Sequence, residues 1–304
     1  PDVISYSAAV SACEKCEQWA LALGLLGQTS VVRLAPNIVL YNATISACEK
    51  GFRWLQALRL LREAEQEDGV KLDTISYNAA ISACEKGRQW ELALGLAEKM
   101  HEQVVQPSLV TFNAALSACE KGHAWALGLD VLLEVRRHGL QPDTITYNAA
   151  ISACDKGHQP WVAMALLASM HRESLQCDVI SYTSAVSACE KGSAWEQALR
   201  SLHEMHLRLI LPNTITYNAV GTACERGQAW SHALALLTDM RHVRVEPHTS
   251  TYYVVLLALI SGKELLRALE IYHEAVGCGA IRPQLRGELG VFDLHTMPAE
   301  VAKL

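Results

Sequence analysis

Long hydrophobic runs are absent from this chain of 304 residues. The longest uninterrupted apolar stretch, residues 252–260, has nine residues, too few for a membrane-spanning helix. Positive charge is not in excess. Lys and Arg total 26 against 32 Asp and Glu, a formal net charge of -6, so the surface as a whole is not the basic footprint of a nucleic-acid binder. Gly (18) and Pro (9) are too sparse for a collagen-like or low-complexity chain. A hydrophobic fraction of 50% excludes disorder, because enough apolar surface exists to offset the entropy of ordering. Length alone suggests one or two ordinary domains. Phe is scarce, 3 residues against 7 Trp and 9 Tyr, and composition does not explain that imbalance.

Order explains it. The phrase at residues 75–87, ISYNAAISACEKG, recurs along almost the whole chain. Its aromatic falls at Tyr6, Tyr41, Tyr77, Phe112, Tyr147, Tyr182, Tyr217 and Tyr252, at intervals of 35 residues with a single 36. Seven Cys follow the first seven aromatics by seven residues: Cys13, Cys48, Cys84, Cys119, Cys154, Cys189 and Cys224. Trp follows by 13 residues at Trp19, Trp54, Trp90, Trp125, Trp195 and Trp230; in the fifth repeat Pro160 takes that place and Trp161 slips by one. The Trp and most of the Cys are therefore one per repeat, and free buried thiols fit better than disulfides.

Each repeat reads as two helices. Tyr77, Ile81 and Cys84 lie at i, i+4 and i+7, one helical face. Gly87 and its counterparts Gly51, Gly122, Gly157, Gly192 and Gly227 are expected to cap the first helix and make the turn. The second helix starts near Trp90 and carries Ala93, Leu94, Leu96, Ala97 and Met100. Pro36, Pro107, Pro142, Pro212 and Pro247 stop it, and Pro160 fits the first turn of its own helix. A single pair cannot bury its apolar face, whereas stacked pairs share one core. An all-α solenoid of eight repeats is expected, with boundaries 3–37, 38–73, 74–108, 109–143, 144–178, 179–213, 214–248 and 249–284. The eighth is degenerate: Ser261-Gly-Lys replaces the usual turn and the Trp is missing. Pro1-Asp2 match the end of a preceding repeat, as Pro142-Asp143 do later, so the chain reads as a piece of a longer protein.

A polar stripe runs along the first helix of each repeat. In the third it is Asn78, Ser82 and Lys86, at i, i+4 and i+8, which drifts only about 40° per step. The first members are Ser7, Asn42, Asn78, Asn113, Asn148, Thr183 and Asn218; the last are Lys15, Lys50, Lys86, Lys121, Lys156, Lys191 and Arg226. A solvated helix face would explain the polarity, but not a short amide or hydroxyl at one end and a cation at the other. Such rows suit single-stranded nucleic acid, with bases read by the amides and phosphates met by the cations. The neighbouring acids Glu14, Glu49, Glu85, Glu120, Asp155, Glu190 and Glu225 precede the cations by one residue. They should therefore point about 100° away and leave the groove locally positive.

Tandem 35-residue helix pairs opening on Ile/Val-x-Tyr-Asn, turning at Lys-Gly and closing on Pro-Asp resemble pentatricopeptide repeats. Tetratricopeptide repeats have a period of about 34 and carry their Trp in the first helix. The resemblance implies a right-handed superhelix that binds single-stranded RNA, one base per repeat. It implies that the residue after the aromatic and the last residue of the repeat together choose the base. Ser7 with Asn37 and Thr183 with Asn213 then resemble adenine readers. Asn42 with Asp73, Asn113 with Asp143 and Asn148 with Asp178 resemble uracil readers; Asn78 with Ser108 and Asn218 with His248 resemble pyrimidine readers. The aliphatic residue two before the aromatic would wedge between bases: Ile4, Val39, Ile75, Val110, Ile145, Ile180 and Ile215. The implied ligand is A-U-(C/U)-U-U-A-(C/U). The family also implies a chloroplast or mitochondrial setting, protein partners in RNA processing, no membrane and no cofactor.

The tail, 285–304, leaves the repeat. Its stretch 291–302, VFDLHTMPAEVA, resembles the opening strand and helix of an Smr domain through Asp293 and His295, while Phe292 and Thr296 depart from that pattern. An Smr endonuclease would need residues beyond this stretch, and the bland alternative is a frayed end. Cys13-Glu-Lys-Cys16 and His203-Glu-Met-His206 lack a partner pair at zinc spacing. The Trp row fits packing between repeats better than base stacking. No Ser-His-Asp, phosphate-loop or paired-carboxylate pattern stands out, so the chain reads as a binding protein rather than an enzyme. A protein-binding scaffold is the alternative.

Overall fold

The computed structural model describes residues 2–281 and the short strands Gln284–Arg286 and Val291–Asp293. The chain divides into two compact units, Pro1–Ala153 and Cys154–Leu304. In the first, helices alternate as α1 (Val3–Lys15), α2 (Trp19–Val31), α3 (Ile38–Lys50), α4 (Trp54–Gln66), α5 (Thr74–Lys86), α6 (Trp90–Glu102), α7 (Leu109–Lys121), α8 (Trp125–Arg137) and the start of α9 (Thr144–Lys156). The second unit carries the end of α9, then α10 (Pro160–Arg172), α11 (Val179–Lys191), α12 (Trp195–Leu207), α13 (Thr214–Arg226), α14 (Trp230–His242), α15 (Thr249–Ser261) and α16 (Leu265–Gly277). Each of the sixteen helices among the described residues spans 13 residues. A strand pair, Gln284–Arg286 with Val291–Asp293 antiparallel, follows the last helix. Val291–Asp293 is a strand, whereas the rest of the Smr-like stretch, His295 and Thr296 included, lies outside the described residues.

Within each unit the odd-numbered helices stack on one another and the even-numbered ones lie against them. The packed face is the one that periodicity marks: Tyr77, Ile81 and Cys84 are fully buried, as are Ala93 and Met100 of the second helix. Cys48, Cys84 and Cys119 in the first unit, and Cys154, Cys189 and Cys224 in the second, have no exposed surface. Burial pushes these thiols up, to about 11 for Cys48, Cys84 and Cys119 and to about 12 for the other three. They behave as small apolar residues. Pro160 is the first residue of α10, where no backbone donor is needed. Among the described residues no helix is long and apolar enough to cross a membrane.

The turn glycines serve a different purpose from the one expected. Gly51, Gly87, Gly122, Gly192 and Gly227 do sit at helix C-caps, but with φ between -79° and -89°, which any residue tolerates. The left-handed residue is the next one: Phe52 (56°), Arg88 (56°), His123 (58°), Ser193 (55°) and Gln228 (55°). Glycine is required because an aromatic ring of the preceding repeat rests on it. A Cβ on Gly51 would lie 2.4 Å from Cδ1 of Trp19, on Gly87 2.4 Å from Trp54, and on Gly122 2.1 Å from Trp90. In the second unit Trp195 covers Gly227 and Trp230 covers Gly262, the glycine of the degenerate repeat. Pro160 takes over the task on Gly192, and Trp161, relieved of it, is 67% exposed. Trp and Gly are thus two halves of one contact between repeats, which supports packing over base stacking for the Trp row.

Candidate nucleic-acid interface

The last residue of each repeat is the N-cap of the next first helix. Asn37 accepts from Leu40 N at 2.9 Å, Asp73 from Ser76 N at 2.9 Å, Asp143 from Thr146 N at 2.8 Å, Asp178 from Ser181 N at 2.8 Å and Asn213 from Thr216 N at 2.9 Å. Ser108 accepts from Thr111 N at 3.4 Å. Capping alone selects Asp, Asn and Ser at these places, so the second member of six of the seven expected base-selecting pairs, all but His248, has a structural task as well.

The other half lies one turn into each first helix. Asn42, Asn78, Asn113, Asn148, Thr183 and Asn218 are half-buried, and Ser7 is 8% exposed. Where reader and cap share a unit, several of the pairs touch. Asn42 Nδ2 donates to both carboxylate oxygens of Asp73, at 3.1 and 3.3 Å, and Asn78 Nδ2 donates to Ser108 Oγ at 3.3 Å. Ser7 Oγ reaches Asn37 Oδ1 at 3.5 Å while donating to Val3 O at 2.9 Å. Two pairs are indirect. Thr183 Oγ1 meets Thr216 Oγ1 at 2.8 Å, and Thr216 in turn donates to Asn213 at 3.0 Å. Asn218 Nδ2 donates to Ser250 Oγ at 2.9 Å and not to His248, because Ser250 brings a short hydroxyl to the place of the usual aliphatic wedge.

A third residue joins every asparagine whose surroundings lie within one unit. The hydroxyl just before the next aromatic donates to the amide oxygen: Ser76 to Asn42, Thr111 to Asn78, Thr146 to Asn113 and Thr251 to Asn218. Sequence reasoning passed over these hydroxyls. The signal was their recurrence immediately before the aromatic, with Leu40 as the exception.

The expected wedge residues are exposed. Ile4, Val39, Ile75, Val110 and Ile145 in the first unit are 55–74% accessible, and Ile180 and Ile215 in the second 62% and 67%. A β-branched apolar side chain at the same exposed place in each repeat contributes nothing to the core.

The cation row departs from expectation. Each acid points about 100° from its neighbouring cation around its own helix. Stacking brings it instead beside the cation of the next repeat. Lys50 Nζ lies 2.9 Å from Glu14, Lys86 2.9 Å from Glu49 and Lys121 2.7 Å from Glu85. In the second unit Lys191 is 2.9 Å from Asp155 and Arg226 is 3.8 Å from Glu190. Ser117 and Ser152, in the middle of the stripe, donate to Glu85 and Glu120 at 2.8 and 2.7 Å. The stripe is therefore a ladder of alternating charge rather than a bare positive groove. The Glu14 hydrogen bond raises the Lys50 pKa, and burial raises that of Glu190 against the opposing pull of Arg226. Lys15 closes α1 and Lys156 closes α9.

On the opposite side the tyrosine hydroxyls meet the second helices. Tyr182 reaches His171 Nε2 at 3.2 Å, and Tyr217 donates to Asp239 at 2.7 Å while lying 3.3 Å from His206 Nε2. His206 of the HxxH is thus engaged with Tyr217 and Asp239. No group of three His, Cys, Asp or Glu that could hold a metal exists among the described residues. In the eighth repeat Tyr253 is 44% exposed, and Gln284 opens the strand pair.

Stacked helical hairpins, each presenting a capped first helix, a hydrogen-bonded polar residue one turn in and an exposed aliphatic residue, define a tandem helical-repeat array. The pentatricopeptide repeat domain profile matches residues 59–121, and the pentacotripeptide-repeat region of PRORP matches residues 133–284, half of the chain. The chain belongs to the pentatricopeptide repeat family. Its fold is similar to the pentatricopeptide repeat protein PPR10 from maize, with a TM-score of 0.78 at 20% identity over 93% of this chain and 40% of that one. The same protein in complex with an 18-nt psaJ RNA element matches with a TM-score of 0.74 at 21% identity, over 92% of this chain and 41% of that one. The chain thus spans about two fifths of the length of those structures. No curated protein matches it.

Proposed function

We propose that the chain binds single-stranded RNA, one base per repeat, in the order A-U-(C/U)-U-U-A-(C/U). The observation that carries the reading is the exposed aliphatic residue at the start of each first helix, beside a half-buried reader held by hydrogen bonds. Flat apolar faces with polar edges, which unstacked bases have, complement that arrangement. The maize protein of similar fold, complexed with an RNA element, supports the same reading. The setting would be a chloroplast or mitochondrion, the effect on RNA processing, stability or translation, and the working partner RNA first, with processing proteins second.

The cations Lys15, Lys50, Lys86, Lys121, Lys156, Lys191 and Arg226 would meet phosphates. Seven free cations would imply a log-log salt slope of roughly -5. Most of those in the ladder already hold a carboxylate, so each phosphate has to displace one and the expected slope is shallower. Binding of the heptamer and of a base-shuffled heptamer, measured across a salt series, tests the reading. Tight binding of the first alone is expected. Equal or absent binding would point to the protein-binding scaffold.

A further inference from the structure

The half-buried carboxamides stand on buried hydroxyls. We propose that Ser76, Thr111, Thr146 and Thr251 are positioning residues, each setting which edge the asparagine of the preceding repeat presents to its base. The inference deepens the RNA reading above and rests on it. Ser76 Oγ donates to Asn42 Oδ1 at 2.6 Å, Thr111 Oγ1 to Asn78 Oδ1 at 2.6 Å, Thr146 Oγ1 to Asn113 Oδ1 at 2.7 Å and Thr251 Oγ1 to Asn218 Oδ1 at 2.8 Å. Ser76, Thr111 and Thr146 are fully buried and Thr251 is 3% exposed.

A carboxamide has two nearly isosteric edges, one accepting and one donating. Held only at a hydroxyl cap such as Ser108 it can turn over, and a turned amide offers an acceptor where a donor stood; the buried hydroxyl removes that freedom. A carboxylate cap such as Asp73 accepts only and already favours Nδ2, so there the buried hydroxyl adds a second hold. It holds Oδ1 on the inner side, and the cap takes one proton of Nδ2 in Asn42 and Asn78. The second Nδ2 proton is then left for a base acceptor, such as a pyrimidine carbonyl. The chain carries its own control. Ser7 has no amide to orient, and the corresponding place in the next repeat is Leu40, fully buried and without a hydroxyl. Thr183 also lacks an amide, and Thr216 meets it hydroxyl to hydroxyl at 2.8 Å. The same hydroxyls also close capping boxes, accepting from the backbone N–H of Asp73, Ser108, Asp143 and His248, and Ser76 and Thr146 lie 2.9 and 2.8 Å from Oδ1 of their Asp caps. Capping does not demand them, since Asn37 caps α3 with Leu40 at that place, and only the base preference separates the two roles.

The test is Thr146→Val, near-isosteric and without the donor, beside Thr146→Ser, which keeps it. Affinity of the whole chain is measured for heptamers with each of the four bases at position four, read by Asn113, and at position two, read by Asn42. Thr146→Val is expected to lose about tenfold in discrimination at position four, within the range of one good base contact, with position two unchanged. Thr146→Ser should restore the preference. A general loss of folding would depress every position together and would overturn a specific role. Unchanged discrimination at position four in Thr146→Val, with normal choice by the unsubstituted chain, overturns the positioning role alone. Failure of the unsubstituted chain to prefer the heptamer over its shuffle overturns the RNA reading and this role with it.

Discussion

Gly87→Ala separates two accounts of the turn. If the glycine were there for its backbone, alanine would suffer from a left-handed φ. The observed φ is -79°, and there alanine costs nothing. It would gain about 0.5–1 kcal/mol over glycine from lower chain entropy. Against that stands the ring of Trp54, whose Cδ1 and Cγ would lie 2.4 and 2.7 Å from the new Cβ. These distances are too short for the ring to stay, and overpacking of this kind costs about 1–3 kcal/mol. The net expectation is a loss of about 1–2 kcal/mol. In a Trp54→Ala background the clash is gone, so Gly87→Ala should become neutral or stabilise by about 0.5 kcal/mol. The coupling in a double-mutant cycle would then be about 2 kcal/mol. Urea denaturation followed by far-ultraviolet circular dichroism reads all four proteins, since that signal does not depend on the deleted indole. Arg88→Gly is the companion variant: Arg88 holds φ at 56°, and glycine there should stabilise by about 1 kcal/mol. An equal loss from Gly87→Ala with and without Trp54 would refute the role of the ring.

Four further outcomes follow from the geometry. Glu49→Gln with Glu85→Gln frees Lys86 and Lys121, so RNA affinity should rise and the salt slope steepen by about 0.7 for each phosphate that a freed lysine meets; filter binding at several salt concentrations checks it. Tyr217→Phe should cost about 1 kcal/mol by deleting the bond to Asp239, whereas Tyr77→Phe should be neutral or stabilising, since the Tyr77 hydroxyl is buried without a partner; thermal melts compare the two. Iodoacetamide at pH 8 should label exposed Cys16 and Cys278 first and buried Cys48, Cys84 and Cys119 last, which mass spectrometry resolves. Those buried thiols ionise near 11 when folded against an ordinary 9.0. Their contribution to stability is therefore intact below pH 9 and falls as pH rises from there through 11, a loss that alkaline titration of a Cys48→Ala, Cys84→Ala, Cys119→Ala variant should lessen.

Much of the site was legible because it repeats. Asn42, Asn78 and Val39 could be placed by counting from the aromatic, and each stands where counting puts it. Asn218 shows where counting stops. Its expected partner His248 lies at the right interval, but the short side chain of Ser250 takes the hydrogen bond instead. Ser76 and Thr111 were overlooked because a hydroxyl before an aromatic reads as ordinary helix filler until its burial is known.

The sequence by itself determined the number of repeats, the two-helix pattern, the buried face and the positions of the polar stripe, because each follows from periodicity along one chain. Only the tertiary structure decided what lies across the gap between repeats: Trp54 on Gly87, Glu49 beside Lys86, Ser76 beneath Asn42. The physical reason is that an angle around one helix axis says nothing about the neighbouring helix. A residue pointing away from its own helix neighbour can still meet a partner in the next helix, as Glu49 meets Lys86 at 2.9 Å.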